Sequence, residues 1–232
     1  MRSDGRAEHE RQGLSAITEH TVARTVSDLH GNAPDTSPVA LLLIDTINDL
    51  EFDDGARLLR SALPMAKRIA TLKRRAAEAR IPAIYVNDNF GRWRSDFRRL
   101  VAHCLEDGVR GRPVAELLVP DENDYFVLKP KHSGFYNTTL DLLLNHLQVE
   151  TLIVTGMTTD VCVLFTAADA YMRDYRLIVP RDCVAALTPA LQRGALAQMQ
   201  HALKADVVSA RSIDLARLTK RRAKKRTTRS AP

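Results

Sequence analysis

The chain has 232 residues, 45% of them hydrophobic, and a formal net charge of +6. That length fits one large α/β domain or two small ones and supplies a sizeable core. No apolar run is long enough to span a bilayer, and residues 1–14 lack the apolar centre of a secretory signal. Three widely spaced cysteines, Cys104, Cys162 and Cys183, form no C-x-x-C pair. They point to reduced thiols in a cytoplasmic protein, not to a disulfide framework or a structural zinc site.

In chain order, residues 1–37 are polar and end in a Gly/Asn/Pro-rich stretch, which reads as an extended arm and loop. Residues 39–44 form a continuous apolar run closed by Asp45, the pattern of a strand buried on both faces. A helical pattern covers residues 63–79, with Pro64 in its first turn. Residues 81–86 read as the second strand, 87–96 as a polar loop, 97–105 as a helix and 109–120 as irregular. Residues 125–128 form the third strand. Thr138 or Thr139 can cap a helix running to residue 147. Then follow strand 152–155, helix 161–174, strand 176–179, a helix over 189–203 opened by Thr188-Pro189, and a short strand at 205–209. Strands alternating with helices predict a mostly parallel sheet covered on both faces. With no internal repeat or linker, residues 38–210 read as one domain.

The surplus charge is local. Residues 211–232 hold nine basic side chains against Asp214, a net +8, so the remainder of the chain carries −2. This predicts a basic, disordered tail at 211–232. The body shows no basic helix or aromatic-basic interleaving, so nucleic acid is not the expected partner.

In open α/β sheets, ligands bind beyond the carboxyl ends of the strands. Asp45, Lys129 and Cys162 stand there, after the first, third and fourth strands. Together they offer a base, a cation and a nucleophile, the parts needed for activated thiol chemistry. Cys162 falls near the start of a helix, where free N–H groups favour the thiolate and can hold an oxyanion. No histidine follows a strand end; His132 is the nearest substitute base. Asn89, Arg92 and Trp93 in the second-strand loop, together with Phe135, are candidate substrate contacts. Cys104 and Cys183 read as structural.

Four segments carry a family resemblance. They are Leu42-Leu43-Ile44-Asp45-Thr46-Ile47-Asn48-Asp49-Leu50; Lys129 with Ser133-Gly134-Phe135 and Thr138-x-Leu140; Val154 to Val163 with Thr166-Ala167-x-Asp169-Ala170; and Asp182-Cys183-Val184-Ala185-Ala186. In this order they resemble the isochorismatase-like cysteine hydrolases, which include nicotinamidases, N-carbamoylsarcosine amidases, ureidoacrylate and biuret hydrolases and isochorismatases. The resemblance implies a three-layer α/β/α sandwich with a mostly parallel six-stranded sheet, and a catalytic triad of Asp45, Lys129 and Cys162. It implies a cis Met157–Thr158 bond and an oxyanion hole built from the N–H groups of Thr158 and Cys162. It further implies cleavage of a small linear amide or N-carbamoyl compound through a thioester, without a cofactor, in a homodimer or homotetramer.

The departures narrow the reading. Ile47 replaces a common Gln and Leu50 a common Phe, changes expected to reshape the pocket. The second-strand loop has Asp88 but none of the histidines that hold a metal in nicotinamidases, so no metal is expected. Two alternatives remain: a C–O (vinyl ether) hydrolase of the isochorismatase type, which uses no cysteine nucleophile, and a non-catalytic binding protein on the same fold.

Overall fold

The computed structural model describes residues 36–89 and 96–220. Seven parallel strands form one sheet: β1 (Val39–Ile44), β2 (Ala83–Asp88), β3 (Tyr125–Lys129), β4 (Thr151–Met157), β5 (Arg176–Pro180), β6 (Val184–Ala185) and β7 (Asp206–Val208). The main order is β3-β2-β1-β4-β5-β7, with the two-residue β6 pairing β4. β6 is the strand beyond the six expected; at two residues it is too short to leave a pattern in sequence.

Alternation along the central strand builds the three layers. Val39, Leu41 and Leu43 pack on one face, and Ala40, Leu42 and Ile44 on the other. The first face is covered by α1 (Gly55–Glu78), α2 (Phe97–Glu106) and α3 (Arg112–Leu117). The second is covered by α4 (Leu140–His146), α5 (Leu164–Tyr171) and α6 (Pro189–Ala202). Burial on both faces explains why β1 reads as an unbroken apolar run. The expected α/β/α sandwich is therefore present.

Several boundaries differ from expectation. α1 begins eight residues early, and Pro64 lies inside it rather than in its first turn. Its buried stripe of Gly55, Leu58, Ala62, Met65, Ile69, Leu72 and Ala76 runs through the proline. Pro64 sits on the exposed side, where water can take the carbonyl it leaves unpaired. α3 occupies a stretch expected to be irregular. Residues 159–163 form a π-helical turn ahead of α5. The packed region also passes the boundary expected at residue 210. Ile213 and Leu215 are buried in the α1-side core, Arg75 donates to the carbonyls of Ala210 and Ile213, and residues 215–220 are helical. The predicted tail boundary is thus too early; residues 221–232 lie outside the described region.

The chain winds outward from β1 through β2 to β3, then returns to place β4 on the other side of β1. This reversal sets the topological switch point between β1 and β4. Gly156 pairs with Ile44 there at φ +114°, and a Cβ would lie 2.0 Å from the Ile44 carbonyl oxygen. Replacing Gly156 with alanine combines that overlap with a strained backbone and is expected to cost about 4 kcal/mol or more. A chemical denaturation midpoint equal to wild type would contradict this.

A histidine ties the β1–α1 loop to α2. His103 Nε2 lies 3.2 Å from Asp49 and Nδ1 2.7 Å from Asp107. Hydrogen bonding to Asp107, then to Asp49, raises its pKa above the ordinary 6.5. Its stabilisation is present below pH 6.5 and is lost as pH rises through the raised value. His103 is partly exposed, so the effect is small. Thermal denaturation across that window should show a slight fall in Tm that His103→Gln abolishes.

Candidate active site

The switch point collects the three residues read from the strand ends. Asp45 follows β1 with φ +51°, a left-handed conformation that Asp and Asn tolerate better than most residues. Its N–H donates to the Val86 carbonyl at 3.0 Å, and Oδ1 accepts from the Asp88 N–H at 2.7 Å. Lys129, the last residue of β3, has no exposed surface and reaches past β2. Its Nζ lies 2.9 Å from Asp45 Oδ2, 3.5 Å from Asp88 Oδ2 and 3.6 Å from Cys162 Sγ. Cys162 is partly buried in the π-helical turn after β4. A buried ammonium, two carboxylates and a thiol therefore converge.

The second and third motifs anchor the cysteine's backbone. The Cys162 carbonyl accepts from Thr166 Oγ1 at 2.7 Å, and that oxygen accepts from the Gly134 N–H at 3.0 Å. Ser133 donates to Asp169, and Thr138 donates to the Gly134 carbonyl at 2.5 Å. The Met157–Thr158 bond is cis, as the resemblance implied.

The electrostatics correct one expectation. The helix-start argument favoured a resting thiolate. Burial, followed by the Asp45 charge, instead pushes the Cys162 thiol up to about 12. Burial also raises the Asp45 carboxyl above its usual 3.8, against the lowering pull of Lys129. Burial pulls Lys129 down, but the carboxylates beside it, Asp45 first and then Asp88, hold the amine charged. The resting site thus holds a charged ammonium and a neutral thiol, with the Asp45 carboxyl raised by burial and paired to Lys129.

The other candidates divide. Asn89 is buried, and its N–H donates to the Lys129 carbonyl at 3.0 Å. Arg92 and Trp93 lie outside the described residues. Phe135 is a core residue 5% exposed, its ring beside Tyr175 and under Arg173, so it is not an open substrate contact. Ile47 and Leu50 are fully buried in the α1-side core and do not line a pocket; the Ile47 carbonyl accepts from Asn87 Nδ2 at 2.7 Å. His132 is exposed against Phe165. Cys104 and Cys183 are fully buried, and burial pushes both thiols up to about 12.

Asp88 is the participant that sequence reasoning missed. The sequence offers it only as a lone carboxylate for a metal, yet it ends β2 between the strands bearing Asp45 and Lys129, and that position is the available signal. Its carboxylate faces the Lys129 ammonium, and no cluster of three or more His, Cys, Asp or Glu suited to a metal occurs among the described residues. The donor set does not fit a transition metal. Four buried polar atoms lack a partner among the described residues: Thr46 Oγ1, Asn87 Oδ1, Thr159 Oγ1 and Asp160 Oδ1. Each lies within three positions in sequence of Asp45, Asp88 or Cys162.

The chain belongs to the isochorismatase domain family, which matches residues 39–212. It is 39% identical over 174 residues to the uncharacterized isochorismatase family protein YaaI of Bacillus subtilis, covering 75% of this chain and 95% of that protein. It is 41% identical over 97 residues to the ureidoacrylate amidohydrolase RutB of Methylorubrum extorquens, a match spanning 41% of this chain and 39% of that protein. Among solved structures, the N-carbamoylsarcosine amidase of Thermoplasma acidophilum superposes with a TM-score of 0.59 at 28% identity. That match covers 76% of this chain and 98% of that one.

The opposing charges around the thiol give a signed prediction. Asp45→Asn, which keeps the backbone preference, removes the negative charge that holds the thiol up. Iodoacetamide should then alkylate Cys162 faster at neutral pH than in wild type, while Lys129→Met should slow it. Alkylation slowed by Asp45→Asn would show that the carboxylate does not hold the proton on sulfur.

Proposed function

We propose that the protein is a metal-free cysteine amidohydrolase that cleaves a C–N bond in a small linear amide or N-carbamoyl compound through a thioester. The observation that carries this reading is the position of Lys129 Nζ, 2.9 Å from Asp45 and 3.6 Å from Cys162. Membership of the family and likeness to enzymes named for ureidoacrylate and N-carbamoylsarcosine hydrolysis support it.

Asp45 accepts the Cys162 proton as sulfur bonds to the substrate carbonyl carbon, and the carbonyl π electrons move onto oxygen. The N–H groups of Thr158 and Cys162 hold that oxyanion, a contribution of roughly 3 kcal/mol per donor. Collapse expels the nitrogen group, which leaves with the proton from Asp45. The regenerated Asp45 carboxylate then takes a proton from water, whose oxygen attacks the thioester. Collapse frees the acid, and the proton returns to sulfur. Lys129 stays charged throughout, stabilising developing negative charge on sulfur and fixing the Asp45 carboxylate.

Asp88, part exposed beside Lys129, opposes a dicarboxylate, so the vinyl-ether reading gains no support from the site. A retired scaffold would not require the buried Lys129 to meet both a base and a thiol.

A panel of linear amides and N-carbamoyl compounds, assayed by ammonia release, tests the proposal. Cys162→Ala should abolish turnover and trapping of an acyl-enzyme. Asp45→Asn should lower kcat/KM by about 10³-fold or more. In wild type, kcat/KM should fall as pH drops through a value above 3.8, because turnover needs ionised Asp45 and burial raises its pKa. Full activity in Cys162→Ala would overturn the mechanism.

A further inference from the structure

A second cleft, of about 560 Å³, lies between the first turns of α1 and α6, and none of its lining residues belongs to the triad. Four arginines line it: Arg57 and Arg60 from α1, Arg181 from the segment after β5, and Arg193 from α6. Among the described residues none of these four guanidinium groups has a hydrogen-bond or ion-pair partner, although other arginines of the fold are paired, such as Arg112 with Glu116 and Arg176 with Asp206. Asp182, beside Arg181 in sequence, is occupied in accepting from the Ala210 N–H at 2.8 Å.

The neutral polar groups of the cleft are already spent inside the fold. Ser61 donates to the Ala186 carbonyl at 2.9 Å, and Thr188 Oγ1 accepts from the Leu191 N–H at 3.1 Å. Gln192 clamps the wall: its Oε1 accepts from the Ala186 N–H at 3.2 Å, and its Nε2 donates to the carbonyls of Arg181 and Val184. The charged donors among the lining residues are therefore the four guanidiniums, without a partner among the described residues. Leu187, Pro189 and Leu196 supply an apolar side. Like charges gathered without counter-charge repel each other, so nothing in the fold itself rewards this arrangement. The guanidinium fork pairs with phosphate and carboxylate oxygens two at a time, and the volume is that of a small-molecule site.

We propose that this cleft binds a small organic polyanion, one bearing a phosphate or several carboxylates, at a site separate from the triad. Inorganic pyrophosphate is the probe and citrate the second arm, which separates phosphate from carboxylate chemistry. Titration calorimetry of the full chain should show one pyrophosphate bound per protomer, with a matching rise in Tm. Each guanidinium removed, in Arg181→Gln and Arg193→Gln singly and together, should weaken binding about tenfold. Without ligand, the same variants should melt at or above the wild-type Tm, because repulsion is relieved. Pyrophosphate should leave the alkylation rate of Cys162 unchanged. The proposal fails if neither polyanion binds, or if chloride at matched ionic strength gives the same rise in Tm. It also fails if the double variant binds undiminished, if the ligand-free variants melt lower, or if pyrophosphate protects Cys162.

Discussion

The buried ammonium of Lys129 is the constraint on which the site depends. A charge without exposed surface is tolerated only when partners replace its water, since the desolvation cost amounts to several kcal/mol. Here the partners come from two other strands. Asp45 ends β1 and Asp88 ends β2, and the parallel registers Ile44↔Val86 and Asp88↔Lys129 align their carboxyl ends. A slip of one residue in either pairing would turn each side chain to the other face and leave a buried charge alone. The pair therefore enforces the register as much as the register places the pair.

The same logic extends to sulfur. Cys162 stands across the switch point, in the turn after the strand that returns beside β1, so its distance from Lys129 depends on how closely β4 meets β1. Gly156 sets that approach, and hydrogen bonds through Thr166 and Gly134 hold the following turn to the segment between β3 and α4. The motif residues around the triad are thus mostly supports. Ser133, Gly134, Thr138 and Asp169 bond to backbone and to one another, and the pattern that marks them in sequence reflects this framework.

Much of this was legible in the chain. Buried parallel strands leave unbroken apolar runs, so β1, β4 and β5 were visible, and the rule that sites gather at carboxyl strand ends singled out Asp45, Lys129 and Cys162. What was lost has physical causes. Pro64 looked like a helix start because its tolerance inside α1 depends on facing solvent, which only the fold decides. β6 was too short to show a period. Phe135 looked like a pocket aromatic because a ring's neighbours are tertiary facts. Asp88 escaped because its role comes from Lys129 at the end of the next strand, not from any local pattern. The tail boundary failed because two apolar residues, Ile213 and Leu215, sit within a basic composition and outweigh it by burial.

The state of the thiol was also illegible, and it changes how the triad is understood. A helix start and a nearby lysine both favour the thiolate, and a sequence shows those two features. It does not show that the lysine's charge is already claimed by Asp45 at 2.9 Å, with sulfur farther off at 3.6 Å. With one cation already facing two carboxylates, ionising the thiol as well would add a further negative charge against a single positive one. Keeping the proton on sulfur gives Asp45 and Lys129 a neutral sum until a carbonyl arrives. In the proposed mechanism charge separation then coincides with bond formation, and a protonated thiol is less open to oxidation in the meantime. In the proposed mechanism, the burial that makes the cysteine unreactive alone also raises the Asp45 carboxyl and so suits it to act as the base when substrate fills the site.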